Sequence, residues 1–126
     1  MPESTHIVKR VVEFSKRPGP RFINQGKDSG EQFYSQCLKP WFDEAITSNR
    51  PLTVVLDGTD GYLSSFIDEA FGRLVYEYGR GKVEEVLTVK SELEPVWLEK
   101  LQKKVYPAWQ LRKEQGLAPK ITVEAV

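Results

Sequence analysis

The chain has 126 residues, 40% hydrophobic and 11% aromatic, a size and apolar content that suit one domain with a packed core. Its 18 Lys and Arg balance 18 Asp and Glu, so no global field draws it to nucleic acid or to an anionic membrane. The single cysteine, Cys37, excludes an internal disulfide and a thiolate metal cluster and points to a reducing compartment.

Residues 1–5 show no basic stretch leading into an apolar run, and no apolar run approaches the length of a bilayer span. A cytoplasmic protein with no membrane partner is the expectation. In chain order, residues 6–14 read as the first strand, with Ile7, Val8, Val11, Val12 and Phe14 supplying β-branched and aromatic bulk. Pro18, Gly19 and Pro20 break residues 15–30 into a loop or short hairpin, in which Arg21, Phe22 and Ile23 form a brief second strand. The first helix opens at Asp28 or Ser29, where Ser29 and Gln32 have capping-box spacing. Phe33, Cys37, Trp41 and Ala45, with Tyr34, Leu38, Phe42 and Ile46 beside them, make a wide apolar stripe, and Pro40 should kink it.

Residues 51–57 form a short, continuously apolar run, the pattern of a central strand buried on both faces. Gly58-Thr59-Asp60-Gly61 then turns the chain into a helix over 64–78, where Ile67, Ala70, Phe71, Leu74 and Tyr78 recur at helical spacing and Gly79 marks the stop. A further strand is expected at 83–89. Ser91 and Glu94 suggest a second capping box, opening a helix to about Gln115 that Pro107 bends or ends. Ile121-Thr122-Val123 is either an edge strand or a tail. Strands alternating with helices argue for a mainly parallel or mixed sheet.

The informative stretch is VVLDGTDGYLSSFIDEAFGRL, residues 54–74, where a buried strand hands over through a polar loop to two serines at a helix mouth. In this stretch the chain resembles the STAS-like domains of unknown function, relatives of the STAS fold of bacterial anti-sigma factor antagonists and sulfate transporter tails. Pro18-Gly19-Pro20-Arg21-Phe22, Ser29-Gly30-Glu31 and Leu38-Lys39-Pro40 fit the same pattern, and the likeness spans about residues 8–89. The Ser64-Ser65-Phe66-x-x-Glu69-x-Phe71-Gly72 core is its most specific part.

The resemblance implies one STAS-like α/β domain over 1–126, with a core at about 6–115 and residues 116–126 as tail or edge strand. Its mixed or mainly parallel sheet would have about four strands, packed with three to four helices. It further implies a non-enzymatic bacterial regulatory module, monomeric or weakly dimeric, that needs no cofactor and no metal. The implied partner is a histidine-kinase-type ATPase acting as a serine kinase, or an anti-sigma factor. Ser64 matches the phosphoacceptor of the antagonists and Ser65 the residue after it. Leu63 stands where an aspartate usually precedes the serines, and Phe66 replaces the usual glycine, a pattern closer to the STAS-like subgroup. The partner surface would comprise Asp57, Gly58, Asp60, Gly61, Tyr62, Phe66 and Asp68, with Arg21 from the Pro-Gly-Pro loop.

Physical chemistry supports such a site independently. A helix N-terminus leaves amides unpaired and carries partial positive charge, so it tolerates an added phosphate. A phosphate on Ser64, beside Asp57, Asp60, Asp68 and Glu69, would repel an acidic partner. Serine is equally favoured there simply as a cap. The same helix mouth suits a small anionic ligand or nucleotide, which makes a sensor domain the alternative. Gly58–Gly61 lacks the ending of a nucleotide P-loop and the dinucleotide fingerprint. Asp57 and Asp60 as catalytic carboxylates, Cys37 as a nucleophile with His6 as base, and His6 as a metal ligand all lack supporting neighbours. Lys16 and Arg17 read as solvated turn residues or as contacts for an acidic rim.

Overall fold

The structure, a computed structural model, describes residues 6–119, and the edge strand expected at residues 121–123 lies outside them. Among the described residues, three strands, β1 (Ile7–Arg10), β2 (Leu52–Val55) and β3 (Leu87–Lys90), form one parallel sheet in the order β1-β2-β3. The expected sheet had about four. Ile7, Leu52 and Leu87 share one row of the register, and Lys9, Val54 and Val89 another two residues on. Because side chains alternate with period two, these rows face the helices: Ile7, Leu52, Val54 and Leu87 are buried. The intervening rows face away, leaving Val8, Arg10, Thr88 and Lys90 exposed and Thr53 and Val55 half-buried. The central strand is therefore sealed on one face, not on both as its apolar run suggests.

Among the described residues, four helical bodies build the other layer. The first joins α1 (Gly30–Phe33) through a π-helical turn (Tyr34–Leu38) to α2 (Lys39–Ser48). Ser29 caps it, its Oγ accepting the Gln32 amide at 3.0 Å, while the Gln32 side chain accepts from the Asp28 amide, one residue earlier than a capping box requires. Pro40 follows the wide turn, which absorbs the lost amide and the ring clash that proline brings. The second body, α3 (Ser64–Tyr78), stops at Gly79 as its sequence indicates. α4 (Arg80–Val86) occupies the first half of the expected strand, which begins only at Leu87. Finally α5 (Val96–Lys100), a second π-helical turn (Leu101–Val105) and α6 (Tyr106–Glu114) run on past Pro107. Ser91 does not cap this body; its Oγ donates to the Glu94 carbonyl, and Pro95 stands at the cap position.

Two further expectations are corrected. The first strand ends at Arg10 because Val11–Glu13 coil into a 3-10 turn that drops Val11 into the core. Arg21, Phe22 and Ile23 form no strand: Phe22 is buried and Ile23–Gln25 make a second 3-10 turn.

Phe33 is the hub of the core. The rings of Phe14, Trp41, Phe66 and Phe71 all lie with centroids 5.3 to 6.4 Å from it, and emptying such a position costs about 3–5 kcal/mol. α6 lies so close to α3 that a Cβ on Gly72 would stand 2.0 Å from the Trp109 indole nitrogen. Only glycine admits that approach. Among the described residues no helix is long and apolar enough to cross a membrane.

Candidate functional site

The start of α3 is positioned from below by β2 and from the side by α5. After Leu56 the chain leaves the sheet, and both carboxylate oxygens of Asp57 accept backbone amides, from Leu93 and Glu92, at 2.9 Å. Those two bonds hold the Asp57 carboxyl below the usual carboxylate range. Gly58 and Gly61 turn with φ of +105° and +136°. Asp60 sits between them and pairs with Arg17 at 2.8 Å and Lys16 at 3.6 Å, chiefly the Arg17 bond lowering its pKa. The Tyr62 hydroxyl donates to the Leu56 carbonyl at 2.6 Å, and burial pushes that hydroxyl up to about 12. Its ring meets Phe66 and Trp97, tying the loop to α3 and α5.

Leu63, extended and without an acceptor in its side chain, occupies the cap position of α3. Ser64 and Ser65 are therefore the first two helical residues, and neither caps the helix. Ser64 is exposed and Ser65 half-buried. No hydroxyl hydrogen bond to a described residue occupies either one.

Both serines border a cleft of about 290 Å³ between α3 and the α5–α6 body. Ile67, Trp97 and Val105, all buried in the core, form its apolar floor. Lys100 and Lys104 stand on the far rim. Lys100 lies over the Trp97 ring, 5.1 Å from its centroid.

The near rim is a rigid ionic clamp. Arg21 reaches Asp68 at 2.7 Å and Glu69 at 3.5 Å, Arg73 holds Glu69 at 2.7 Å, and the Trp109 indole donates to Asp68 at 3.0 Å. Glu69 is 1% exposed. Burial outweighs both guanidinium groups and pushes its carboxyl up.

The structure thus gathers the expected residues but assigns them different work. Ser64, Ser65, Asp68 and Arg21 share one cleft. Asp57, Gly58, Asp60, Gly61 and Tyr62 instead line a second hollow, of about 220 Å³, at the carboxyl ends of the strands. Phe66, expected at the surface as an apolar contact, is fully buried against Phe33 and offers no interface. Two of the acids expected to surround Ser64 with negative charge are ion-paired, Asp60 with Lys16 and Arg17 and Asp68 with Arg21, while Asp57 keeps its charge and is held by backbone amides. Committed in this way, Asp57 and Asp60 are poor candidates for catalysis. Cys37 is half-buried on the helical stripe, and burial pushes its thiol up, against a nucleophile's need. Among the described residues no group of three or more His, Cys, Asp and Glu is placed to hold a metal ion.

Sequence reasoning missed Trp97, Lys100, Lys104 and Val105 as site residues. Trp97 and Val105 already stood on the apolar stripe of the last helix, and the two lysines flank that stripe four residues apart. A family model described as a STAS-like domain of unknown function matches residues 29–97, from the cap of α1 to Trp97. Neither the curated proteins nor the solved structures returned a match.

Proposed function

The chain belongs to the STAS-like domain family, and from that premise we propose that it is a non-enzymatic regulatory module that binds a protein partner at the start of α3. The observation that carries this reading is Ser64: it is exposed, on the first turn of a 15-residue helix, with a hydroxyl that no cap occupies. A serine spent on capping would be held in place; this one is presented. Nearby, a rigid frame of Arg21, Asp68 and Trp109 fixes the rim, so a partner meets a preformed surface and loses little affinity to ordering it.

Ser64 is the proposed phosphoacceptor, with Ser65 second, and the partner is a histidine-kinase-type ATPase acting as a serine kinase or an anti-sigma factor. In that transfer the Ser64 Oγ attacks the γ-phosphorus of ATP. The bond to ADP breaks, and the hydroxyl proton passes to a base of the kinase. The chemistry belongs to the kinase, and this chain supplies the acceptor oxygen and the helix amides that tolerate the product anion. The corresponding test is incubation with such a kinase and ATP, followed by mass-spectrometric mapping. Phosphate on Ser64 is expected. Exclusive modification of other positions, or none with a kinase shown to bind, would refute the assignment. A thermal-shift screen with nucleotides and phosphorylated metabolites tests the sensor alternative, which predicts a shift from one compound that Ser64→Asp abolishes.

A further inference from the structure

Charge and polarity divide the α3–α5 cleft in an instructive way. On the near rim every charge is answered within the chain, Arg21 by Asp68 and Glu69. On the far rim Lys100 and Lys104 stand one helical turn apart and form no ion pair with any described residue. Their neighbour Lys103, facing away from the cleft, is paired with Glu99 at 3.0 Å. Two like charges at this spacing repel and destabilise a helix slightly, and the acid that lines the cleft, Asp68, is held by Arg21 and the Trp109 indole on the opposite rim. Between them and Ser64 lies a floor of Ile67, Trp97 and Val105. The N-terminal end of α3 adds its own partial positive charge. An occupant matching this surface must be apolar at its centre and acidic at its edge. The volume, about 290 Å³, lies at the bottom of the ~300–1,000 Å³ range typical of small-molecule pockets and suits one or two side chains of a docked segment.

We propose that this cleft docks an acidic, apolar segment of the partner protein, its carboxylates meeting Lys100 and Lys104 while an aliphatic or aromatic side chain enters between Ile67, Trp97 and Val105. A negative charge on Ser64 then closes the cleft by occupying the same lysines. This rests on the regulatory-module reading and deepens it, because the switch becomes competition for two cations. Asp60 and Asp68, on which simple repulsion would depend, are already ion-paired.

Fluorescence anisotropy of the full chain with two labelled peptides tests the proposal. Both peptides carry the same leucines and phenylalanine, one with glutamate and one with lysine at every other position. The glutamate peptide should bind saturably and the lysine peptide should not. Lys100→Glu with Lys104→Glu should weaken the glutamate peptide about tenfold or more, as reversal of close charge pairs does. Lys103→Glu, which makes the same type of change outside the cleft, should alter affinity less than about twofold. Ser64→Glu should weaken binding by about tenfold beyond any effect of the uncharged Ser64→Ala. Thermal melts confirm that each variant is folded. Equal losses from Lys103→Glu and the double variant, no binding of the glutamate peptide, or full binding by Ser64→Glu would overturn the proposal. If a kinase modifies Ser64 while the glutamate peptide ignores Lys100 and Lys104, the cleft assignment fails and the regulatory module stands.

Discussion

Replacing Gly72 by alanine should destabilise this protein, although the same change in an exposed helix interior is worth about 1 kcal/mol of stabilisation. The added methyl would lie 2.0 Å from Trp109 Nε1 and 2.3 Å from two ring carbons, against ordinary carbon contacts of ~3.5 Å. Trp109 is fully buried and has no room to yield. α6 must therefore back away from α3 by more than an ångström, or the indole must turn. Overpacking of this kind costs about 1–3 kcal/mol. Either movement also breaks the indole bond to Asp68, and a hydrogen bond to a charged partner is worth about 1.5–3 kcal/mol. After the helix-propensity gain, the net loss is about 3 kcal/mol. Urea unfolding followed by circular dichroism should show an earlier midpoint at unchanged slope. Gly81→Ala is the matched control: nothing lies within 4 Å of its added carbon, and it should gain about 0.5–1 kcal/mol. A Gly72→Ala protein as stable as the parent would refute the close packing of α3 and α6 and, with it, the anchoring of the near rim.

Leu63 caps α3 with no side-chain acceptor, so Leu63→Ser should raise stability by about 0.5–1 kcal/mol, read from the same urea curves; an unchanged midpoint would contradict the cap position. Asp57→Ala removes both bonds to the Glu92 and Leu93 amides and should cost about 1–2 kcal/mol, with faster hydrogen exchange at those amides as the direct readout. Because the folded state lowers the Asp57 pKa, its contribution is present above the ordinary aspartate range and is lost as pH falls through the depressed value; Asp57→Asn should lack that acid-side slope. Glu69 has the opposite sign: its raised pKa means the fold prefers the neutral acid, so stability declines as pH rises from the ordinary glutamate range through the folded value. Glu69→Gln should flatten that decline in pH-dependent melts.

β2 and α3 were legible from sequence because each follows one rule: a short β-branched run between Pro51 and Asp57, then apolar residues at three and four up to Gly79. Residues 83–86 misled because Val83, Val86 and Leu87 satisfy helical spacing as well as a strand's appetite for branched side chains; the contacts of α4 with α3 and α6 settle the choice for helix. The end of strand β1 is not legible, because composition carries no stop signal at Arg10, where burial of Val11 bends the chain instead. The serine pair was found because it lies within one contiguous motif. Lys100 and Lys104 were not, since they share a cleft with Ser64 only once the last helical body packs on α3, and no local pattern encodes that packing. The neutralisation of Asp60 and Asp68 was hidden for the same reason: their cations lie more than 40 positions away, as with Arg17 and Arg21.

Two of the helical bodies pass through a π-helical turn just ahead of proline, at Tyr34–Leu38 before Pro40 and at Leu101–Val105 before Pro107. A π turn houses one residue more than an α turn, which advances everything beyond it by about 100° around the axis. The first body uses that phase change: its leading half lies on α3 and its trailing half on β2 and α4. Each bulge contains the carbonyl four residues ahead of its proline, the one that the proline ring would crowd in a regular α-helix.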